Sequence, residues 1–454
     1  MAFSLNPNAA HHINQSEVVL FNHSESPRPS AAKTTCDSDS TYWSRLEAKI
    51  WIVVLLMGTC LLYCARVTMP ICISAMAEQF KWDKKQSGIV LGSFFWGYTL
   101  TQIAGGYISD RLGGDKVLLL SAFAWGTVTI LTPLLAYCSS TPIFILTLSR
   151  FFMGLLQGVH FPSLASLFSC KVRQSERAFT SSTVCTGTQF GTLIIGGAGS
   201  VLLDRCGWQS VFYFSGLPTI LWVYCMWEYL IKGQGHEISL ESLSNRLTNS
   251  QGNEVPWIKL FKKPSVWAVI VAHVCMASTF FCILSWIPTF FHDSYPDSKG
   301  WIFNVVPWVV SIPLSLMGGL LSDHLINLGF NTAKVRKLMQ MVAMGMSSIF
   351  IKLLCYSSSY YRSLLFVSAA VGLQTFSHSG SSVNVQDLAP SCAGSLFGVM
   401  NTGGALAGVV LVYFAGYLIE TTGSWPFVFN LVSIINMFGL SVYMIFGQAT
   451  RVDI

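Results

Sequence analysis

The stretch Gly105-Gly106-Tyr107-Ile108-Ser109-Asp110-Arg111 closes one apolar segment of the chain. A similar stretch, Gly318-Gly319-Leu320-Leu321-Ser322-Asp323-His324, closes another apolar segment 213 positions later. A second pair repeats at nearly the same offset, because Gly207-Trp208 and Gly423-Ser424-Trp425 each open an apolar segment, with their tryptophans 217 positions apart. This offset predicts two copies of one helical unit, a plan typical of secondary transporters.

The composition places both units in a membrane. Of the 454 residues, 52% are hydrophobic and only 11% are charged, whereas an ordinary soluble domain is about 25% charged. This excludes a soluble enzyme, a nucleic-acid-binding protein and a disordered scaffold. A backbone that crosses lipid must satisfy its own hydrogen bonds, so the apolar windows are predicted to be helices. The windows lie at roughly 50–76, 87–109, 116–137, 142–168, 178–203, 208–231, 264–291, 300–322, 338–356, 362–385, 393–419 and 424–447.

We therefore predict an all-α membrane protein with twelve transmembrane helices in two six-helix bundles, residues 49–231 and 263–447. Residues 1–48 are polar and predict a disordered tail, 232–262 a linker, and 448–454 a second tail. Eighteen of the 27 Lys and Arg residues lie on the side of the N-terminus and six on the other. Because cytosolic loops are enriched in basic residues, we expect both termini and the linker in the cytosol.

Two arginines lie inside predicted spans. Arg66 lies about sixteen residues into the first, and Arg150 precedes a ladder of Gly154 and Gly158 in the fourth. An ionisable side chain at this depth is costly and marks a functional site unless it pairs with a carboxylate or reaches the membrane surface. No Asp or Glu lies in the middle of any span. Two unpaired guanidiniums predict a site for a polyanion, because Arg binds phosphate and carboxylate in bidentate fashion.

Uncharged polar and aromatic residues are further candidates for this site. His378 lies in the tenth span with Gln374 before it and Asn384 after it. The histidine is interpreted as a packing residue, a substrate donor or a proton site. Tyr98 ends an aromatic run in the second span that either packs or faces substrate. We find no nucleophile–base pair, no phosphate-cradling loop and no metal motif, so no catalytic or metal site and no enzyme activity is predicted.

The turn after the second span, Asp110 to Lys116, is rich in charge. It is either a solvated loop or a conformational latch, with Asp110 placed near a helix N-terminus where the helix dipole favours an anion. Asp110 and Arg111, together with Asp323 at the repeated position, are therefore the candidate gating residues.

These residues resemble the major facilitator superfamily, whose loop 2–3 signature matches Gly106 to Gly114. More closely, the chain resembles the anion-transporter family of vesicular glutamate carriers, sialin and sodium–phosphate transporters, and within it the branch that carries nucleotides. The resemblance to the anion-transporter family is carried by Gly92 to Tyr98, Thr101-Gln102, Arg150 with its glycines, Gly207 to Tyr213 and Asn384 to Pro390. The resemblance to the nucleotide branch is carried by Leu61 to Arg66, Gly300 to Trp308 and Leu388 to Gly394.

The resemblance implies a carrier that loads ATP and ADP into secretory vesicles or lysosome-like organelles. It implies that Arg66 and Arg150 hold the anion and that Tyr98 lines the cavity. It also implies chloride as an activator, no cofactor, and functional coupling to the vacuolar proton pump, whose potential drives uptake. Glutamate carriers have His, Glu and Arg where this chain has Leu91, Gln157 and Met276. The loss of the His and the Glu favours weak or absent proton coupling, whereas the loss of the Arg is not explained by it.

Three other functions remain open on the sequence. The nearest is a proton- or sodium-coupled carrier of another organic anion or of phosphate. An anion channel is the second, because some relatives in the family conduct chloride. A membrane enzyme is the third, and the missing catalytic motifs argue against it. The expected partners are nucleotide substrates and the lipid bilayer, with no nucleic acid.

Overall fold

The computed structural model describes residues 42–82, 84–138, 141–231, 255–296 and 300–453, and every regular element in these ranges is helical. The predicted tail over 1–48 and the linker over 232–262 lie largely outside this part of the chain. The first membrane helix begins before the predicted boundary at 49, because Ser44 caps it in a capping box with Glu47. Within the linker, Trp257–Phe261 forms a short helix.

The first bundle contains six helical segments, three of them continuous and three interrupted. They are α1 (Arg45–Phe80), α2 (Lys84–Leu112), α3 (Gly114–Cys138), α4 (Pro142–Gly158, then His160–Lys171), α5 (Arg177–Cys185, Gly187–Ile194, Ile195–Gly199, then Ser200–Cys206) and α6 (Trp208–Cys225, then Met226–Ile231).

The second bundle repeats this order. Its segments are α7 (Pro264–Ser294), α8 (Gly300–Asn327), α9 (Thr332–Gln340, Met341–Met346, then Ser347–Leu354), α10 (Tyr360–Gln374, Thr375–His378, then Ser381–Leu388), α11 (Ala393–Thr422) and α12 (Trp425–Phe446). We call the side of the protein where α1 begins and α12 ends the terminal side.

Among the described residues, nine of these helices are long and apolar enough to cross a membrane on their own. The other three are α2, α5 and α10, which carry more polar residues than their neighbours. All three contact the opposite bundle, so a part of their surface faces protein rather than lipid. This is the physical reason for their lower hydropathy, since residues that face protein do not need to match the lipid.

Glycines bring helices close together within and between the bundles. A Cβ atom on Gly154 of α4 would lie 2.1 Å from the Phe94 carbonyl oxygen of α2, so the predicted glycine ladder packs directly on α2. Between the bundles, a Cβ on Gly106 would lie 2.1 Å from the Gly394 carbonyl oxygen. In lipid, helices associate by close van der Waals packing at small residues rather than by the hydrophobic effect. Backbone contact of this kind holds α2 against α11 on the terminal side.

Candidate functional site

Two guanidinium groups and one aromatic ring form the centre of the site. Arg66 of α1 and Arg150 of α4 converge on Phe94 of α2, with guanidinium carbons 5.1 Å and 4.9 Å from the ring centroid. Arg150 is 5% exposed. Neither arginine forms an ion pair with a carboxylate in the described part of the chain. The positive charge is therefore balanced only by ring faces, which attract cations weakly.

The surroundings of Arg66 hold its guanidinium in place without neutralising it. Its Nε donates to the Gln157 side-chain oxygen at 3.1 Å, and its guanidinium carbon lies 4.7 Å from the rings of both Tyr63 and Tyr98. One terminal nitrogen of Arg66, Nη2, is buried and has no hydrogen-bond partner. The same holds for Nε of Arg150. Buried donors without partners are rare in proteins, and here they fit an anionic ligand.

A layer of amide and ring groups joins the two bundles beside this centre. Asn401 of α11 donates from its side-chain nitrogen to the Tyr98 hydroxyl and to the Gln102 side-chain oxygen, each at 3.1 Å. Its oxygen lies 3.4 Å from Nε2 of His273 of α7. Sequence reasoning did not single out Asn401 or Gln102 for this layer, because nothing in a single sequence shows that α2 faces α11.

The residues predicted in α10 lie in two places. His378 is within electrostatic range of His273, and Gln374 is buried one turn earlier with both atoms of its amide unpartnered. Asn384 lies in the last part of α10, where its amide donates to the Tyr443 hydroxyl at 2.9 Å and to the Gln448 carbonyl at 3.0 Å. These bonds occupy Asn384 within the second bundle, and the structure shows no contact between it and either arginine.

The repeated aspartates occupy equivalent positions between the bundles. Asp110 accepts from the backbone N–H groups of Gly394 and Ser395, at 3.0 Å and 2.8 Å, at the start of α11. Asp323 accepts from the N–H groups of Ala178 and Phe179, at 3.2 Å and 2.7 Å, at the start of α5. We call these the two latches. Each places a carboxylate at a helix N-terminus, where the dipole stabilises negative charge.

Arg111 takes no part in either latch. Its guanidinium carbon lies 4.3 Å from the centroid of the Tyr107 ring, one turn back on the same helix. Its Nε is buried and has no partner.

A buried charged cluster beside the latches was not predicted. Asp387 of α10 pairs with Arg336 of α9 at 3.0 Å and with Arg177 of α5 at 3.2 Å. Arg177 belongs to the first bundle and the other two residues to the second. In the sequence these arginines only add to the basic residues of the terminal side. Their pairing with Asp387, 210 positions from Arg177 and 51 from Arg336, cannot be predicted from one sequence.

Two bundles of repeated topology, with buried charges between them, define a multi-pass membrane transporter. The family model of the Major Facilitator Superfamily matches residues 54–410, and the chain belongs to this family. Solved structures agree on the fold. A proton:xylose symporter, XylE, superposes with a TM-score of 0.71 at 13% identity, over 90% of this chain and 98% of that chain.

Relatives of known name place the chain in one branch of that superfamily. It is 57% identical over 426 residues to the voltage-gated purine nucleotide uniporter SLC17A9 of Mus musculus, with 94% of each chain covered. It is 33% identical over 424 residues to the probable anion transporter 4, chloroplastic, of Oryza sativa subsp. japonica, covering 91% of this chain and 71% of that one. These relatives are transporters and not enzymes, in agreement with the prediction that the chain is not an enzyme.

Proposed function

We propose that this protein carries purine nucleotides, ATP and ADP among them, down the membrane potential. The observation that carries the proposal is the pair of guanidiniums of Arg66 and Arg150, which converge on Phe94 without a carboxylate partner. A nucleotide supplies what this site lacks, namely several negative charges and oxygens that accept from planar guanidiniums. The similarity to the mouse uniporter supports the same substrate class.

The absence of a carboxylate beside the arginines supports transport driven by potential rather than by protons. Gln157, the polar partner of Arg66, cannot take up or release a proton. Each charge that moves through a potential of 100 mV gains about 2.3 kcal/mol. A multiply charged nucleotide therefore accumulates strongly in a compartment that is positive inside, without a coupled ion.

The substrate is proposed to reach the site by alternating access. The latches and the glycine contacts hold the bundles together on the terminal side, so this conformation is closed towards that side. We assign the terminal side to the cytosol because it carries the excess of Lys and Arg. Transport then requires the two latches to open, the bundles to rock about the arginine site, and the latches to form again.

In the cell, we propose secretory or synaptic vesicles and lysosomes as the location, where the vacuolar proton pump would supply an inside-positive potential. Nucleotides stored there would be released by exocytosis. We also propose that chloride activates the carrier. Both proposals derive from the family resemblance.

Purified protein in liposomes tests the substrate and the driving force together. An inside-positive potassium diffusion potential is imposed with chloride present, and uptake of labelled ATP, glutamate and phosphate is followed with and without a pH gradient. We expect saturable ATP uptake that needs the potential and not the pH gradient. Uptake of phosphate or another organic anion that needs a proton or sodium gradient would support the alternative carrier, and non-saturating flux would support a channel.

A further inference from the structure

Arg177 bonds to both bundles, and its three nitrogens divide between them in an ordered way. Its Nε donates to the Val172 carbonyl at 3.1 Å and its Nη2 to the Ser169 carbonyl at 2.8 Å, both in the first bundle. Its Nη1 donates across the interface, to the Gln386 carbonyl at 3.0 Å and to the Asp387 carboxylate at 3.2 Å. Bonds within the first bundle thus orient the guanidinium, and its Nη1 points towards the second bundle.

Asp387, in contrast, is held by its own bundle. Arg336 donates from Nε to the second carboxylate oxygen at 3.0 Å. Arg336 is itself fixed by bonds from Nη1 to the Ser322 hydroxyl at 2.8 Å and the Ser379 carbonyl at 3.2 Å. When the bundles part on the terminal side, Asp387 therefore keeps a cationic partner, and Arg177 loses the one carboxylate that it contacts among the described residues.

We propose that Arg177 is a second anion-binding residue, which becomes available at the entrance on the terminal side when the bundles part. Its Nη1 then takes a phosphate group of the incoming nucleotide in place of Asp387. This inference rests on the proposed function for the identity of the ligand. The side chain of Arg177 is only 7% exposed in the closed state, and its Nη1 loses the Asp387 carboxylate when the bundles part.

Competition between Asp387 and the phosphate gives this site a place in the transport cycle. A nucleotide on Arg177 prevents the pair with Asp387 from forming again, so the terminal side stays open. Once the nucleotide passes to Arg66 and Arg150, Arg177 returns to Asp387 and helps the bundles close. Arg is suited to both states, because its planar fork donates to carboxylate and to phosphate alike.

Three variants of the full-length protein test this role, each reconstituted in liposomes with all molecules in one orientation. We measure the ATP concentration that gives half-maximal transport, first from the terminal side and then from the opposite side. For Arg177→Gln we expect a rise of about tenfold from the terminal side and no change from the opposite side. Arg177→Lys, which keeps the charge, should stay close to the wild type.

The variant Asp387→Asn shows whether Arg177 binds the incoming anion or only joins the two bundles through its bond to Asp387. It removes the competitor and leaves the cation, so we expect half-maximal transport from the terminal side at a lower ATP concentration. If Arg177 only fastens the bundles, Arg177→Gln and Asp387→Asn break the same bond and shift this concentration in the same direction, which would overturn the proposal. If Asp387→Asn does not fold, equal values for Arg177→Gln and Arg177→Lys would overturn it too.

Inorganic phosphate distinguishes a phosphate site from a nucleotide-specific effect. Added on the terminal side, it should compete with ATP more strongly in the wild type than in Arg177→Gln. Equal competition in both would mean that phosphate acts only at Arg66 and Arg150, and would contradict the assignment. If the wild type carries another anion instead of ATP, the same variants are compared with that anion, so the two proposals fail separately.

Discussion

The two bundles match at the latches and differ at the substrate site. At the latches, Asp110 and Asp323 each accept from two backbone N–H groups at a helix N-terminus of the opposite bundle, and Asp110 accepts also from the Ser395 hydroxyl at 2.7 Å. At the site, the first bundle supplies Arg66 and Arg150, whereas the second supplies His273 and Asn401. The repeat is thus kept at the latches, and it is lost at the site, where only the first bundle supplies arginines.

We propose that this difference orients the nucleotide. We expect its phosphates against the first bundle, where the unpaired guanidiniums lie. The base and ribose then face the second bundle, whose amides and imidazoles donate and accept without carrying a full charge. The predictions below test this division, beginning with the change that should disturb it most.

Removal of a guanidinium should have the largest effect. In Arg150→Ala, the substrate loses a buried charged partner, a loss that costs about 2–5 kcal/mol in comparable pairs, so ATP uptake should fall roughly 30-fold or more. Lys352→Ala is the matched control, since Lys352 is a basic residue of a membrane helix with an exposed side chain. Initial rates of ATP uptake are compared at equal protein level. An equal loss of uptake in both variants would contradict the role of Arg150.

A carboxylate placed beside Arg66 should reduce the positive charge that the first bundle brings to the site. We call this arginine-bearing part of the site the charged half and the part formed by the second bundle the neutral half. In Gln157→Glu, the new carboxylate takes the position of an oxygen that now lies 3.1 Å from Arg66 Nε. It should neutralise one of the two charges and lower the affinity for ATP by about tenfold. Titration of purified protein with ATP measures this, with Gln102→Glu as a control carboxylate in the amide layer. Unchanged affinity in Gln157→Glu would mean that Arg66 does not meet the phosphates.

The two latches should respond equally. Asp110→Asn and Asp323→Asn each remove a carboxylate from a helix N-terminus, an interaction of about 1 kcal/mol, and should favour opening of the terminal side about fivefold. Cys392 reports on this opening, because it lies at the start of α11 and is 2% exposed. Its labelling by a maleimide is followed by mass spectrometry.

Asp115→Asn is the control for this experiment, since Asp115 lies in the first turn of α3, close to Asp110 in the chain and outside both latches. Its labelling rate should match the wild type. A rise in labelling for only one of the two latch variants would show that the bundles are not equivalent at the latches.

A substitution in the neutral half of the site should have the smallest effect on ATP binding. His273→Gln keeps a hydrogen-bonding group towards Asn401 but moves it, and we expect ATP binding to weaken about threefold. Because this half does not face the phosphates, ADP binding should weaken by the same factor. A loss that grows with the number of phosphates would place the charged end of the nucleotide against the second bundle instead.

The sequence alone identifies candidates where they depend on one helix or on the repeat, and the roles of these residues stay predictions. A charged Arg66 or Arg150 in an apolar segment is costly wherever the helix packs, so its importance is visible without a partner. The latch residues Asp110 and Asp323 are visible because the repeat marks them. The structure does place Asp110 at a helix N-terminus, as the latch interpretation requires.

Contacts between the bundles could not be predicted in this way. Asn384 resembles a substrate residue by its position after His378, but the break in α10 at Ser379 and Gly380 separates them, and Asn384 bonds to Tyr443 instead. Asn401, Arg177 and Asp387 depend on how one bundle lies against the other. That arrangement is set by packing at glycines such as Gly106 and Gly394, which have no side chain to indicate a partner.

The most direct test of the charged and neutral halves is the affinity of the purified protein for adenosine, AMP, ADP and ATP. We predict that affinity in the wild type rises with each added phosphate, and that the rise becomes much smaller in Arg150→Ala while adenosine binding stays the same. Equal affinity for adenosine and ATP in the wild type, or an unchanged rise in Arg150→Ala, would contradict the assignment of the phosphates to the first bundle.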